Sequence, residues 1–136
     1  MLGKHLNHLL AALYCRNRST MKFAGDASVV AIAKLQVCLV WLLYGLPLLG
    51  AVGRLWTHRQ TDLHLTSSNR LDVVLMLVSL FGVVHLLAWP TERLVAFAAN
   101  AEHHVILRQG QRTFLALLAV GFLWMVVVAK YNAGTL

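Results

Sequence analysis

Three long apolar segments constrain the fold of this chain more than any other feature. They cover residues 28–52, 71–89 and 114–130. A helix needs about 20 mainly apolar residues to cross the hydrocarbon core of a bilayer, and each segment is close to that length. A helix also satisfies its own backbone hydrogen bonds where no water is present. We therefore predict an all-α integral membrane protein with three transmembrane helices, which forms a single membrane domain over residues 1–136.

The composition agrees with a membrane protein. The chain is 59% hydrophobic and only 12% charged, whereas soluble domains carry about 25% charged residues. Its net charge is +7, and most of the basic residues flank the apolar segments, where they are expected to bind anionic lipid headgroups. Outside the spans there is no basic stripe with interleaved aromatic residues, so no nucleic-acid partner is predicted.

The distribution of Lys and Arg predicts an orientation. Lys34 is left out because it lies within the first span. Seven other basic residues flank the spans on one predicted side: Lys4, Arg16, Arg18, Lys22, Arg93, Arg108 and Arg112. Four lie on the other side: Arg54, Arg59, Arg70 and Lys130. The positive-inside rule then places the N-terminus on the cytoplasmic or matrix side of a bacterial or organelle inner membrane.

The N-terminal segment, residues 1–23, is basic and amphipathic. Its leucines recur at near-helical spacing, and no acidic residue occurs before Asp26. Two interpretations are open. The segment is either a helix that lies on the membrane surface or an organelle transit peptide, which is also basic and poor in acids.

Two polar or helix-disturbing residues lie in the first span. Lys34 is close enough to the start of the span to be expected to extend its long side chain back to the interface. Pro47 removes a backbone donor, so a bend is expected near it. Small residues offer surfaces for close helix contact: Gly45 and Gly50 in the first span, and Ala116, Ala119 and Gly121 in the third.

The connection between the second and third spans, residues 91–113, has apolar residues at helical intervals. This spacing predicts an amphipathic helix. The helix follows Trp89, which is expected to anchor the end of the second span at the interface, and Pro90, which is expected to stop that span. The run Gln109–Gly110–Gln111 favours a break before the third span. The alternative is one long helix that joins the connection to the third span.

His85 is the ionisable residue well inside the second span, and such residues are candidate functional sites. It could ligate a haem iron, relay a proton or hydrogen-bond a neighbouring helix. The string Gly82-Val83-Val84-His85-Leu86-Leu87 is similar to the haem-binding span of succinate dehydrogenase membrane anchors, which are also small three-span subunits. The resemblance covers this stretch alone, and it implies haem b as a cofactor with His85 as a ligand. The quinone-site pattern of those subunits is absent before span one.

Other histidines do not predict a metal site. His103 and His104 are neighbours, and neighbouring helical residues point about 100° apart, so they cannot chelate as an i, i+4 pair would. His58, Asp62 and His64 lie in a mixed polar loop that is expected to be solvated. Cys15 and Cys38 form no CxxC pair, so neither a metal site nor a disulfide is predicted.

No catalytic motif occurs in the chain, and five acidic residues leave little for acid–base chemistry. We therefore expect no enzymatic activity of the chain alone. The leading hypothesis is a small structural or assembly subunit of a larger membrane complex, of the respiratory or the secretion and conjugation type. The alternatives are a haem b-binding anchor subunit that uses His85, and a holin-like pore former.

Overall fold

The computed structural model describes residues 1–57, 69–132 and 134. These residues form five α-helices and a short 3₁₀ turn: α1 (Leu2–Thr20), α2 (Asp26–Thr57), α3 (Asn69–Leu87), α4 (Thr91–Ala99), the turn Ala101–His103, and α5 (His104–Asn132). The prediction of an all-α protein is confirmed. The first predicted span lies within α2, which continues through Pro47.

Among the described residues, two helical segments are long and apolar enough to cross a membrane, Asp26–Leu48 and Ala101–Tyr131. In the second predicted span, Val73–Leu87 passes the same test together with Thr91–Ala99, and the two are bent by 66° at the break between them. The fold thus carries two candidate spans, or three if this bent pair counts as one.

α2 and α5 are joined by a close contact between their apolar parts. The Tyr44 hydroxyl donates a 2.6 Å hydrogen bond to the backbone carbonyl of Leu117. One turn further along α5, a Cβ atom at Gly121 would collide with the side chain of Leu43 and lie 3.1 Å from the Tyr44 ring. Gly121 is therefore a point of close helix approach, as predicted, whereas Gly45 faces open space.

α1 is confirmed as a helix, but its apolar face packs against protein. Leu10, Ala11, Ala12 and Leu13 are completely buried, and α1 contacts α2, α4 and α5. A helix lying on the membrane surface would leave this face to lipid. The periodicity of the leucines identified the buried face, but periodicity cannot tell a lipid surface from a protein surface.

The predicted break at Gly110 is wrong, because α5 runs without interruption from His104 to Asn132. Gly110 instead lies against α1, where an added Cβ would come within 2.7 Å of the Ala12 Cβ. Gln111 Nε2 also donates a hydrogen bond to the Ala12 carbonyl at 3.3 Å. The glycine permits close approach of two helices, and a single glycine costs a helix only about 1 kcal/mol.

The buried core lies at one end of the molecule. This packed end comprises α1, α4, the first part of α2, the last turn of α3 and the first part of α5. Its core residues include Leu10, Leu13, Val29, Val37, Val84, Leu94, Leu107 and Phe114. The N-terminal helix and the connection after α3 therefore meet at the same end. The predicted orientation depends on this arrangement, because it counts the basic residues of both segments on one side.

The rest of the described bundle exposes apolar side chains. This apolar band begins near Leu39 in α2 and Leu115 in α5, and includes α3 from Leu71 to Leu87. From Leu115 to Tyr131 the band is about 25 Å long at 1.5 Å per residue, close to the thickness of a bilayer core. Water would strongly disfavour such a surface, at about 25 cal/mol per Å² of apolar area.

Candidate functional site

Lys34 of the first predicted span and His85 of the second are in contact with each other. Lys34, in the third turn of α2, has its Nζ atom 3.2 Å from Nδ1 of His85, in the last turn of α3. Lys34 is only 5% exposed, whereas the His85 side chain lies on the outer surface of the bundle. The imidazole therefore lies between the buried Lys34 amine and the outer surface of α3.

The Lys34 side chain, which was expected to extend to the interface, is enclosed by protein. Its side chain is enclosed by the packed end and directed to α3. Among the side chains that the structure describes, the ion pair found joins Arg18 and Asp26, with Arg18 Nε 3.7 Å from Asp26 Oδ1. Within this part of the chain, Lys34 thus has an imidazole as its hydrogen-bond partner and no carboxylate.

The protonated form of Lys34 determines which ring nitrogen of His85 carries the hydrogen. A lysine ammonium has three donors and no acceptor, so next to it Nδ1 accepts and Nε2 carries the hydrogen. The free side of the imidazole is therefore a donor that points away from Lys34. Phe81, one turn earlier on α3, stacks beside the ring with a centroid distance of 6.3 Å.

Haem ligation by His85 makes a different demand on the ring. A histidine that ligates iron through one nitrogen normally donates the hydrogen on the other to a carbonyl or carboxylate. Next to a protonated Lys34, Nδ1 faces a donor, so ligation of iron through Nε2 would require this contact to break. Within the described part of the chain, α2 contains no histidine, and α5 carries His104 at its first position.

Asn7 fastens α1 to the end of α3. Its side chain is 2% exposed. Its Oδ1 accepts a 2.7 Å hydrogen bond from the Trp89 backbone N–H, and its Nδ2 donates to the carbonyls of Gly3 at 2.6 Å and Leu87 at 3.4 Å. Asn7 therefore satisfies backbone groups that become free where α3 ends, and it positions the bend before α4.

Two polar contacts join α1 to α2. Asn17 and Gln36 exchange two side-chain hydrogen bonds, of 3.0 and 3.3 Å. The Tyr14 hydroxyl donates to Asp26 Oδ1 at 2.7 Å. Burial is the main cause that raises the pKa of Tyr14, and the bond to Asp26 adds to it. Because both amides of the first pair are satisfied, these contacts fix the register of the two helices.

Aromatic and imidazole rings form a cluster where α1 meets α4. The Phe97 ring stacks with His103 at a centroid distance of 3.9 Å and with His8 at 5.1 Å. Trp89 meets Phe97 edge-on at 5.7 Å, and the Arg93 guanidinium lies 4.5 Å from the centre of the Trp89 ring. Burial lowers the pKa of His8 from its ordinary value, and the positive charges of Lys4, His5 and His103 lower it further.

A cavity of about 480 Å³ opens between α1, α2 and α5. Apolar side chains from these three helices form most of its wall: Leu2, Leu6, Leu9, Val37, Trp41 and Leu117. The polar part of the lining consists of His5, His8, Gln109 and Thr113. Trp41 and Leu117 belong to the first turns of the apolar band, so the cavity lies where that band meets the packed end.

The remaining sequence predictions about metals have different outcomes. Over the described residues, no group of three or more His, Cys, Asp or Glu side chains is placed to hold a metal ion. His103 faces Phe97, while its neighbour His104 is exposed. His58, Asp62 and His64 lie outside the described residues.

Both cysteines are free thiols. Cys15 is partly buried against α4, where its Sγ lies 3.7 Å from the Ala98 carbonyl, and burial raises its pKa. Cys38 is completely buried in α2. A raised pKa reduces the thiolate fraction, so Cys15 is a poor nucleophile in this position.

Sequence reasoning identified His85 and Lys34 but not their contact, because a pairing of residues 51 positions apart has no local signal. It missed Asn7 as well. A weak signal was present, since Asn7 follows Leu6 on the helix face that also carries Leu10. A buried amide must find partners, and such residues often bridge elements.

Comparison with known proteins adds no relative: no family model matches this sequence, and neither the curated proteins nor the solved structures contain a significant match.

Proposed function

We propose that this chain is a small, non-catalytic structural subunit that helps to assemble a larger membrane complex, of the respiratory or the secretion and conjugation type. The observation that carries the proposal is the Lys34–His85 contact, in which a buried lysine has an exposed imidazole as its partner and, within the described residues, no carboxylate. A cation held away from water is costly without a counter-charge.

The position of His85 indicates where the counter-charge belongs. Its Nε2–H points outward from α3, so a carboxylate on a neighbouring helix would accept this hydrogen bond and complete a Lys–His–carboxylate series. The surface around it is apolar, since Val83 and Leu86 are 46% and 84% exposed. An apolar helix face with one polar donor is well suited to pack against a transmembrane helix that supplies an acceptor.

The shape of the molecule supports the same proposal. Over the described residues, the buried core lies at the packed end, and the apolar band offers outward faces of α3 and α5 to lipid or to other helices. A structural subunit needs such faces, and it needs no catalytic group of its own.

Purification from native membranes tests the proposal. The full chain is isolated in mild detergent, and the chains that co-purify are identified and quantified. We expect one or more membrane proteins at a fixed ratio to this chain. The His85→Ala variant should lose at least ten-fold of this partner signal, because removing one member of a buried, charged hydrogen-bond series costs about 2–5 kcal/mol.

His104→Ala is the matched control, because His104 is also an exposed histidine and lies on α5, away from the tested face of α3. It should retain the wild-type ratio. Isolation of the wild-type chain as a lone monomer, or equal losses in the two variants, would overturn the proposal.

A further inference from the structure

We propose that the cavity between α1, α2 and α5 binds one anionic phospholipid, with the phosphate at its polar mouth and an acyl chain along its apolar wall. This site is separate from the outer face of α3 around His85, so its test is independent of the proposed assembly role. The cavity volume of about 480 Å³ is within the range of about 300–1,000 Å³ that ligand sites in proteins occupy.

The lining combines the two chemistries of a phospholipid. Leu2, Leu6 and Leu9 of α1, with Val37 of α2 and Leu117 of α5, contribute apolar side chains that suit hydrocarbon. The four polar residues of the lining, which comprise His5, His8, Gln109 and Thr113, carry donors that a phosphate can accept from. The cavity therefore offers contacts for both an acyl chain and a headgroup.

Charge at the mouth favours an anion. Burial lowers the pKa of the lining residue His8, and the positive charge of Lys4, which neighbours the lining residue His5, lowers this pKa further. No acidic residue occurs in the lining, and the whole chain carries a net charge of +7. The phosphate of an anionic phospholipid would relieve this concentration of positive charge, which a zwitterionic headgroup would do less well.

The position of the cavity provides access from the bilayer. Trp41 and Leu117 belong to the start of the apolar band, and Trp41 is 43% exposed. The N-terminal Met1 and Leu2 are exposed apolar side chains at 107% and 72%. The mouth is therefore bordered by surface that favours the interfacial region, where phospholipid headgroups lie.

Lipid retention by the full chain tests the site. The protein in detergent is mixed with equimolar phosphatidylglycerol and phosphatidylcholine, and bound lipid is counted by native mass spectrometry. The wild-type chain should retain phosphatidylglycerol at least five-fold better. Lys4→Gln combined with His5→Gln should reduce that retention about five-fold, which corresponds to about 1 kcal/mol.

Two control arms make the result specific. Lys22→Gln combined with His104→Gln removes the same residue types from exposed positions outside the lining, and it should change retention less than two-fold. Thr113→Trp should fill the cavity and abolish retention of phosphatidylglycerol, while Ser79→Trp on exposed α3 should not. Equal retention of both lipids, equal loss in the two double variants, or full retention in Thr113→Trp would overturn the proposal.

The source of the phosphate is tested in the same samples. Glycerol 3-phosphate, which has the phosphate without acyl chains, should not displace phosphatidylglycerol at the same concentration. Displacement by glycerol 3-phosphate would show that the cavity recognises a free phosphate compound, and it would overturn the assignment of a lipid.

Discussion

Gly110 of α5 and Ala12 of α1 lie so close that a Cβ atom on the glycine would be 2.7 Å from the Cβ of the alanine. That distance is shorter than carbon atoms tolerate, and both neighbours are parts of long helices. The contact joins the N-terminal helix to the part of α5 that precedes the third predicted span, and it explains why α5 has glycine inside a helix.

Gly110→Ala should therefore destabilise the protein, because α1 and α5 must separate to admit the methyl group. We expect a loss of about 1–3 kcal/mol, which is the usual cost of overpacking. Gly45→Ala is the control, since Gly45 has nothing within 4 Å of an added Cβ. Alanine there should be neutral or stabilising by about 1 kcal/mol. Thermal unfolding in detergent measures both, and equal effects would contradict the close contact.

Asn7→Ala should loosen the junction between α3 and α4. The Trp89 backbone N–H would lose its 2.7 Å partner in a buried place, at a cost of about 1–3 kcal/mol. Asn100→Ala is a comparison at an exposed position, where the side chain accepts from the Glu102 backbone N–H. Asn100→Ala should lower the free energy of unfolding by a smaller amount, because water can replace this exposed hydrogen bond. Hydrogen exchange at Trp89 should rise in the first variant and not in the second.

Acidic pH should destabilise the contact between α1 and α4 through His8. The folded pKa of His8 lies below its ordinary value of 6.5, so between these two values the unfolded chain binds more protons. The stabilising contribution is complete above pH 6.5 and declines as the pH falls toward the folded pKa. Unfolding temperatures at pH 7.5 and 5.5 test this in the wild type and in His8→Gln. The variant should show a smaller decrease, and an identical decrease would exclude His8 as the cause.

Cys15 should react slowly with maleimide at neutral pH. Its pKa is raised by burial, and its Sγ lies against the Ala98 carbonyl, so both the thiolate fraction and the access are low. The measurement uses a Cys38→Ala background, with Ser19→Cys as an exposed comparison on the same helix. Labelling of Cys15 at least ten-fold slower than of the engineered cysteine is expected. Similar rates would show that α1 does not stay packed on α4.

The sequence was sufficient for the elements that depend on local composition. Long apolar segments predicted α2 and the apolar part of α5, and the amphipathic spacing predicted α1 and α4. The sequence was not sufficient for residues whose role depends on a tertiary contact. Gly110 indicates a helix break in the sequence, where its contact with Ala12 is not visible. Lys34 indicates an interfacial residue for the same reason, because its contact with His85 is not visible there.

The candidate site was predictable only in part for the same reason. A histidine in an apolar span is conspicuous, so His85 was identified from sequence alone. Its tautomer depends on Lys34, which lies 51 positions away and on another helix. The lipid cavity is formed by three helices at once, and no periodicity within any one of them predicts it.

The central claim is that the face of α3 around His85 contacts a helix of another protein. Photo-cross-linking tests it most directly, with the photoreactive residue p-benzoylphenylalanine placed at Leu86, beside His85 and 84% exposed. The control position is Phe23, which is fully exposed between α1 and α2 at the packed end. In native membranes we predict one dominant cross-link to another membrane protein from position 86, with none to that protein from position 23 and none from position 86 in the His85→Ala variant. Adducts with lipid alone at position 86 would contradict the assembly role.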